Sequence, residues 1–244
     1  LIATFNKASQ VALDLRKAGL KKEVKDDNTP VSNGDIEVNK ILTNKIQEIT
    51  PNIKIVSEET TDNKSDTNLD NFWLIDPIDG TSDYINNKYE FTLNAALIIN
   101  KKPTIGIITA PAKKRVFYSY GFSNSYELVN NNEINLMNKK KNYNGITAVS
   151  YSHELKPEIL EIHKKNNIIS YQKIKSSLKF CVIAAGEFDM YVAEPRACEW
   201  DIAAGHAILE HAGGQITDFN GNRILYGKPE FKNPSLILKN KNIL

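Results

Sequence analysis

The chain has 244 residues, of which 41% are hydrophobic and 25% are charged, so it can form one large domain or two closely packed halves. Its formal net charge is only +2 and its lysines are scattered, which excludes the basic stripe of a nucleic-acid-binding domain. The longest basic run, Lys139 to Lys141, follows an Asn-rich turn and is interpreted as a solvated loop. We therefore expect no nucleic-acid partner.

The cysteines and the apolar runs bear on the compartment. Cys181 and Cys198 are too few for a disulfide framework and lack metal-site spacing, so we expect both to be reduced in a cytoplasmic protein. No apolar run approaches the roughly 20 residues that a membrane span needs, and the first residues do not resemble a signal peptide. Peripheral attachment to the inner membrane stays open, as does the choice between monomer and homodimer.

Apolar periodicity and turn signals predict the elements of the first half of the chain. Helices are predicted at 2–18 and 33–50, the second ending before Pro51 because proline cannot continue a helix. Strands are predicted at 53–56, 72–75, 93–99, 104–109, 115–120 and 126–129. The last four should form an antiparallel meander.

The second half continues with strands and helices in mixed order. Strands are predicted at 146–150, 168–174 and 188–192. Helices are predicted at 157–165, 178–185 and 202–212, the last closed by Gly213-Gly214. Because regular βαβ alternation is missing, we predict a layered α/β sandwich rather than a doubly wound sheet. We divide it into an N-terminal α+β half, 1–143, and a C-terminal α/β half, 144–244.

The segment from Trp73 to Thr81 carries the clearest chemical signal. An apolar strand should deliver Asp76 to its carboxyl end, and Pro77 should force a turn that brings Asp79 back beside it. Two carboxylates held this close repel each other unless a cation lies between them. Because no His or Cys is near, the oxygen ligands indicate Mg²⁺ rather than zinc. A single Asp at a turn usually only caps a helix, but the complete string favours a metal site.

Two further motifs accompany the string from Asp76 to Thr81, namely the pair Glu58-Glu59 upstream and Trp200 to Gly205 downstream. Together the three motifs resemble the inositol monophosphatase superfamily. Their order and spacing match over essentially the whole chain. The resemblance implies a layered αβαβα sandwich of the sugar phosphatase type, and a phosphatase that uses two or three Mg²⁺ ions per site. Most of the metal ligands would come from the N-terminal half.

The resemblance implies which residues hold the metal ions. The first ion would be held by three carboxylates and one carbonyl, those of Glu58, Asp76, Asp79 and Ile78. The second ion would be held by Asp76, Asp79 and Asp201. Asp201 is expected just before a helix, whose N-terminal N–H groups also favour an anion such as phosphate. Phosphate monoesters need charge neutralisation and an in-line nucleophile, and clustered metal ions supply both.

The resemblance also implies how water is activated. Asp35 matches the acidic residue that bonds the threonine at the position of Thr81, and this pair would orient and deprotonate the attacking water. Glu59 matches the second acidic residue of the family pair and would support the metal ligands without binding the ions. Gly80, Thr81 and Asp201 are further expected to contact the substrate.

The stretch from Ser176 to Cys181 narrows the substrate class. It is similar to the 3′(2′),5′-bisphosphate nucleotidase branch of the family, in which the corresponding Ser and Lys contact the nucleotide. Ser176 at the start of a helix and the ammonium of Lys179 would form a second anion site. A substrate with two phosphates needs such a site. In isolation, Lys179 would more simply be an exposed helix lysine.

Two further positions complete the expected substrate site. His153 lies in a stretch that resembles another substrate-contacting segment of that branch, although in isolation it would be an ordinary loop histidine. The branch usually has an Arg where this chain has Ala193. Arg196, three residues later, is the candidate replacement.

The sequence therefore predicts a Mg²⁺-dependent nucleotidase that converts adenosine 3′,5′-bisphosphate to AMP and phosphate. The alternative is an inositol-1-phosphate or other sugar-phosphate monoesterase with the same metal site, and a non-enzymatic phosphonucleotide-binding protein is the remote third reading. A covalent aspartyl-phosphate is disfavoured, because Asp76 and Asp79 are three apart with Pro77 directly after the first. The resemblance also implies inhibition by lithium and a role in sulfur assimilation.

Overall fold

The computed structural model of the chain describes residues 1–24, 29–60, 64–66, 69–139 and 145–244. Its α-helices within these ranges are α1 (Ile2–Ala18), α2 (Asn33–Ile49), α3 (Thr81–Ile85), α4 (Pro157–Lys165), α5 (Leu178–Ala184) and α6 (Glu199–His211). Its strands there are β1 (Lys22–Val24), β2 (Pro30–Ser32), β3 (Lys54–Ser57), β4 (Phe72–Asp79), β5 (Thr92–Ile99), β6 (Lys102–Ala110), β7 (Arg115–Ser119), β8 (Ser125–Val129), β9 (Asn132–Asn135), β10 (Ile146–Ser150), β11 (Ile168–Lys173), β12 (Met190–Ala193), β13 (Gln215–Thr217) and β14 (Leu236–Lys239).

The first half is built on a seven-stranded sheet. The strands lie in the order β3-β4-β5-β6-β7-β8-β9, with β3 parallel to β4 and every later pair antiparallel. The meander predicted from the sequence is therefore present, and β9 extends it by one strand. Helices α1 and α2 cover one face, because Phe5, Ala8 and Ala12 recur at helical spacing and are buried against it.

The second half is built on a five-stranded mixed sheet. Its order is β11-β10-β12-β14-β13, with β11, β10 and β12 parallel and the remaining pairs antiparallel. Short strands β13 and β14 were not predicted from the sequence. Helix α4 packs Ile159 on the outer face of this sheet, against Ala148, Met190 and Val192.

Helices α5 and α6 form the layer between the two sheets. The largest apolar core joins Phe72, Leu74 and Ile98 of the seven-stranded sheet to helix residues such as Phe180 and Ile208, and to the other sheet's Leu238. Close approach requires small residues here: a Cβ at Gly106 would lie 2.4 Å from the carbonyl oxygen of Ala204. The layers thus alternate helix, sheet, helix, sheet, helix, and the predicted αβαβα sandwich is confirmed.

Two sequence-based expectations lie partly or wholly outside the described residues. Lys140 and Lys141 of the basic run belong to 140–144, as does the boundary drawn between 143 and 144. The division into two halves therefore stays a prediction. Among the helices that the structure describes, none combines the length and the apolar character that crossing a membrane requires.

Candidate active site

Three carboxylates from distant parts of the chain meet at the edge of the seven-stranded sheet. One oxygen from each of Asp76, Asp79 and Asp201 lies within 4.8 Å of the others. Strand β4 carries the first two, and the first turn of α6 carries the third. Since α6 packs on β4, β5 and β6, the helix start is held over the end of β4. The arrangement places negatively charged oxygen atoms around one point, where they could bind a cation.

The local path of β4 differs from the turn expected at Pro77. The strand continues to Asp79, with Asp76 opposite Asn94 and Asp79 opposite Thr92. Asp76 and Asp79 are three residues apart, whereas their partners on β5 are two residues apart, so β4 has one extra residue here. This is a one-residue bulge. In a regular strand two residues three apart point to opposite faces, and the extra residue returns both carboxylates to the same side.

Asp201 also lies differently from expectation, because it is inside α6 rather than before it. It is the third residue of the helix, and its Oδ2 accepts the N–H of Cys198 at 2.7 Å. This bond resembles half of a capping box and fixes the side chain at the helix start. The neighbouring Glu199 is fully buried and accepts the N–H groups of Gly227 and Lys228, at 2.8 and 3.0 Å, which anchors the same turn.

The pKa of each of the three carboxylates is raised, in every case first by burial. Burial, followed by the charges of Glu58, Asp79 and Asp201, raises the pKa of Asp76 well above its ordinary value. Burial, Asp79 and Glu58 do the same to the pKa of Asp201. Burial raises the pKa of Asp79, but Lys179, the N–H of Ser177 and Arg196 oppose that rise. Concentrated negative charge of this kind is stable only with protons or a cation.

Asp76 provides the test of whether a metal ion fits. Its side chain is 1% exposed, and neither carboxylate oxygen has a hydrogen-bond donor among the described residues unless a proton is shared with Glu58. A buried carboxylate normally has such partners. Hard oxygen donors without His or Cys suit Mg²⁺, so the residues present fit that ion.

Glu58 and Glu59 follow β3, which pairs in parallel with β4. This pairing aligns Ser57 with Ile75, and the N–H of Glu58 donates to the carbonyl of Ile75 at 3.1 Å. Glu58 therefore follows its strand at the same sheet edge as Asp76, although it is not one of the three clustered carboxylates. Glu59 is near enough to Asp35 for its charge to raise the pKa of that carboxyl.

Asp35 and Thr81 are brought together from two helix starts. Asp35 is the third residue of α2 and accepts the N–H and the hydroxyl of Ser32 at 2.8 and 2.6 Å. The Thr81 hydroxyl lies 3.1 Å from Asp35 Oδ1 and 3.0 Å from the carbonyl oxygen of Ile78, and can donate its hydrogen to either. Burial is the main cause of a raised pKa for Asp35, opposed by the bonds from Ser32 and Thr81.

A cavity of about 300 Å³ opens beside Asp79 and Asp201. It combines charged, hydroxyl and apolar groups from both halves of the chain. Its walls are formed by Asp79, Gly80, Tyr151, Lys175, Ser176, Ser177, Lys179, Phe180, Tyr191, Ala193, Arg196, Ala197, Asp201, Ile202 and Leu236. This volume is at the small end of the usual range for ligand sites.

Lys179 and Arg196 place positive charge in this cavity. Lys179 is buried rather than exposed, its ammonium donates to the Ser176 carbonyl at 2.5 Å, and burial lowers its pKa to about 8, against the charge of Asp79. The Arg196 guanidinium lies 3.9 Å from the centre of the Tyr151 ring. Ser176 has a positive φ of 55°, so the loop before α5 turns sharply there.

The structure does not bring every expected residue into the cavity. His153 is exposed and is not among the lining residues, and its carbonyl accepts the hydroxyl of Tyr171 at 2.8 Å. Its substrate contact stays a prediction. Sequence reasoning missed Tyr151 and Lys175, although Lys175 is adjacent to Ser176 and Tyr151 lies two residues before His153.

The chain matches the model of the inositol monophosphatase family over residues 1–243. It is 35% identical over 205 residues to the 3′(2′),5′-bisphosphate nucleotidase CysQ of Buchnera aphidicola, covering 83% of this chain and 76% of that protein. It is 32% identical over 217 residues to CysQ of Escherichia coli K12, covering 86% and 85%. The solved structure of CysQ from Bacteroides thetaiotaomicron superposes with a TM-score of 0.80 at 28% identity, covering 98% of this chain and 95% of that one.

Proposed function

Because this chain belongs to the inositol monophosphatase family, we propose that it is a Mg²⁺-dependent 3′(2′),5′-bisphosphate nucleotidase that converts adenosine 3′,5′-bisphosphate to AMP and phosphate. The observation that carries the proposal is the meeting of Asp76, Asp79 and Asp201 beside a cavity that also holds Lys179. In this proposal two adjacent subsites would bind the substrate, one for the phosphoryl group that reacts and one for a second anion.

In this proposal the carboxylates hold the metal ions. One Mg²⁺ would be bound by Glu58, Asp76, Asp79 and the Ile78 carbonyl. A second Mg²⁺ would be bound by Asp76, Asp79 and Asp201. A metal titration would count any third ion. Bound Mg²⁺ would neutralise phosphoryl charge and lower the pKa of water. The proposed compartment is the cytoplasm, since Cys181 and Cys198 are unpaired.

The pair Thr81 and Asp35 would handle the proton of the attacking water. The single hydrogen of the Thr81 hydroxyl has two acceptors, Asp35 Oδ1 and the Ile78 carbonyl. If the Ile78 carbonyl holds a metal ion, the Thr81 hydrogen would be donated to Asp35, and the lone pairs of Thr81 Oγ1 could accept a hydrogen bond from water. The raised pKa of Asp35 makes it a better proton acceptor.

The remaining groups would place the substrate. As the new oxygen–phosphorus bond forms, the bond from phosphorus to the ribose 3′ oxygen would break. A second water molecule, held by Asp201, would donate a proton to that leaving oxygen, and the proton released by the attacking water would pass to Asp35. Lys179 and Arg196 would hold the second phosphate in the cavity, and Ser176 and the backbone of Gly80 would border it. We propose that each chain binds one substrate molecule. The oligomeric state, monomer or homodimer, stays a prediction.

Phosphate release tests the proposal. Purified protein with Mg²⁺ should hydrolyse adenosine 3′,5′-bisphosphate far faster than inositol 1-phosphate or AMP, and EDTA should abolish the reaction. Lithium should inhibit it. Hydrolysis of inositol 1-phosphate with no release from the bisphosphate nucleotide would refute the substrate assignment and leave the phosphatase class standing.

A further inference from the structure

A buried polar chain links the carboxylate cluster to the loop that opens α5. It consists of Thr92 and Asn94 on β5 and Ser177 before α5, which are 0%, 1% and 2% exposed. The Ser177 hydroxyl donates to Asn94 Oδ1 at 2.6 Å and lies 2.8 Å from the Thr92 hydroxyl. Since Ser177 has one hydroxyl hydrogen and gives it to Asn94, the Thr92 hydroxyl must donate to Ser177.

The partners of this chain on β4 are two of the clustered carboxylates. Asn94 lies directly opposite Asp76, and Thr92 lies directly opposite Asp79. Cross-strand partners project to the same face of a sheet, so both polar side chains lie beside the carboxylates. Ser177 closes the loop, because its backbone N–H donates to Asp79 Oδ2.

The orientation of the Asn94 amide follows from these neighbours. Its oxygen accepts from Ser177, which leaves its NH₂ group buried and without a hydrogen-bond partner in the described part of the chain. Both Asp76 oxygens also lack a hydrogen-bond partner among the described residues, so Asn94 makes no hydrogen bond to Asp76. Asn94 therefore reaches the cluster through Ser177, whose backbone N–H is bonded to Asp79.

The loop itself is held independently of Asn94. Asp83 accepts the Lys175 ammonium at 2.8 Å, and Glu90 accepts the Lys175 backbone N–H at 3.0 Å. These anchors come from the N-terminal half of the chain, like Asn94. Removal of the Asn94 side chain should therefore shift Ser177 without detaching the loop.

We infer that Asn94 is a positioning residue that sets the carboxylate cluster and the substrate loop in one common geometry. The inference rests on the proposed function for the meaning of the two subsites. It implies that one substitution at Asn94, which touches neither metal ion nor substrate, weakens binding of both Mg²⁺ and phosphate. A residue that supports only the fold would change neither affinity.

Calorimetric titrations of Mg²⁺ alone, and of inorganic phosphate at saturating Mg²⁺, test this inference. Asn94→Ala should raise both dissociation constants about tenfold, the lower end of the effect of residues that orient metal ligands. Thr92→Val, which keeps the side-chain volume, should raise both by a smaller factor. The double variant Asn94→Ala with Ser177→Ala should bind no worse than whichever single variant binds more weakly, because each substitution already removes the hydrogen bond between Ser177 and Asn94.

Asn240→Ala is the matched control. Asn240 is 2% exposed and bonds the Ile183 carbonyl and the Asn242 N–H, away from the cavity lining. The Asn240→Ala substitution should lower the melting temperature and leave the dissociation constants of Mg²⁺ and phosphate unchanged. The inference is overturned if Asn94→Ala weakens only one ligand, or neither, or if the double variant is additive. Since no nucleotide is used, these results do not depend on whether adenosine 3′,5′-bisphosphate is the substrate.

Discussion

The two ends of the candidate active site have opposite charge. At one end the charged groups with the largest effects on the pKa of Asp76 are the carboxylates of Glu58, Asp79 and Asp201. At the other end Lys179 and Arg196 both lie in the cavity wall. Asp79 stands between them, and its pKa is raised by burial but lowered by both cations. A phosphate ester placed along this axis would meet the protein's own cations at one end, while the other end needs cations from solution.

Under the proposed function, this difference would divide specificity between the two ends. The carboxylate end would act on any phosphoryl group through bound ions, because its carboxylates do not distinguish one alcohol from another. The cavity end would distinguish substrates, because its side chains would contact the rest of the substrate. Substitutions at the carboxylate end should therefore affect all substrates, and substitutions at the cavity end should affect only some.

The largest expected effect is at Asp79, where the two ends meet. Asp79→Asn removes the charge shared by both proposed metal ions, so kcat/KM should fall at least about 1,000-fold, or about 4 kcal/mol, for every phosphate ester. Initial rates of phosphate release over a Mg²⁺ titration measure this. Asp70→Asn is the control, because the Asp70 side chain is 60% exposed, and its kcat/KM should equal that of the unmodified protein. Retention of most activity in Asp79→Asn would contradict the metal assignment.

Lys179 should separate the two ends. Lys179→Met keeps the buried volume but removes the ammonium, so kcat/KM for adenosine 3′,5′-bisphosphate should fall about 100-fold, or about 2.7 kcal/mol, as expected for a charged hydrogen bond to phosphate. Hydrolysis of inositol 1-phosphate should change less than about threefold. Lys164→Met, in the last turn of α4, is the matched control. Equal losses for both substrates would mean that Lys179 serves the carboxylate end.

From the sequence, the residues of the carboxylate end were predicted better than the backbone conformation that brings them together. Asp76 and Asp79 share one short string, so their proximity follows from spacing alone. The bulge that turns them to one face depends on pairing with Thr92 and Asn94, which lie 13 and 18 residues downstream of Asp79 and Asp76. A turn at Pro77 was the local interpretation, and it was wrong because register with β5 carries the strand onward to Asp79.

The cavity end was predicted less completely, because it has no continuous string. Its lining comes from separate loops, and only packing decides which side chains face inward. His153 was expected there and is exposed, whereas Tyr151, two residues earlier, lines the cavity. Lys179, which in isolation suggests an exposed lysine, is buried because α5 lies between the two sheets.

Metal removal should destabilise the carboxylate end in a pH-dependent way. The raised pKa of Asp76 and Asp201 means that the metal-free fold holds protons that the unfolded chain has released. Stability without metal should therefore fall as the pH rises above the ordinary carboxyl value and through the raised values. At 100 times its dissociation constant, Mg²⁺ should restore about 2.7 kcal/mol, roughly 5–10 °C in melting temperature.

Thermal unfolding in Mg²⁺ and in EDTA, at about pH 5.5 and about pH 8, measures this effect. The difference in melting temperature should be larger at the higher pH. Asp79→Asn should reduce the difference at both values, and Lys179→Met should leave most of it intact. A difference that is independent of pH would contradict the assignment of the raised pKa values to the metal site.

The smallest expected effect is at Arg196, which tests whether it replaces the Arg missing at Ala193. Its side chain is exposed, and its position depends on stacking over Tyr151, whose hydroxyl donates to Glu194 at 2.9 Å. Arg196→Ala should raise KM for adenosine 3′,5′-bisphosphate about tenfold, or about 1.4 kcal/mol, because an exposed ion pair contributes modestly. The kcat should stay the same, since the guanidinium would bind the substrate equally before and during reaction.

Three further variants sharpen this test. Tyr151→Leu removes the ring but not the charge, so it should raise KM by a smaller factor than Arg196→Ala, while Arg223→Ala, at an exposed arginine outside the cavity lining, should have no effect. Arg196→Lys should behave more like alanine than like arginine, because an ammonium neither stacks as a plane nor offers two parallel donors. If Arg196→Ala instead lowered kcat for every ester, the guanidinium would act on the reacting phosphoryl group. Arg196 would then belong to the carboxylate end rather than to the cavity end.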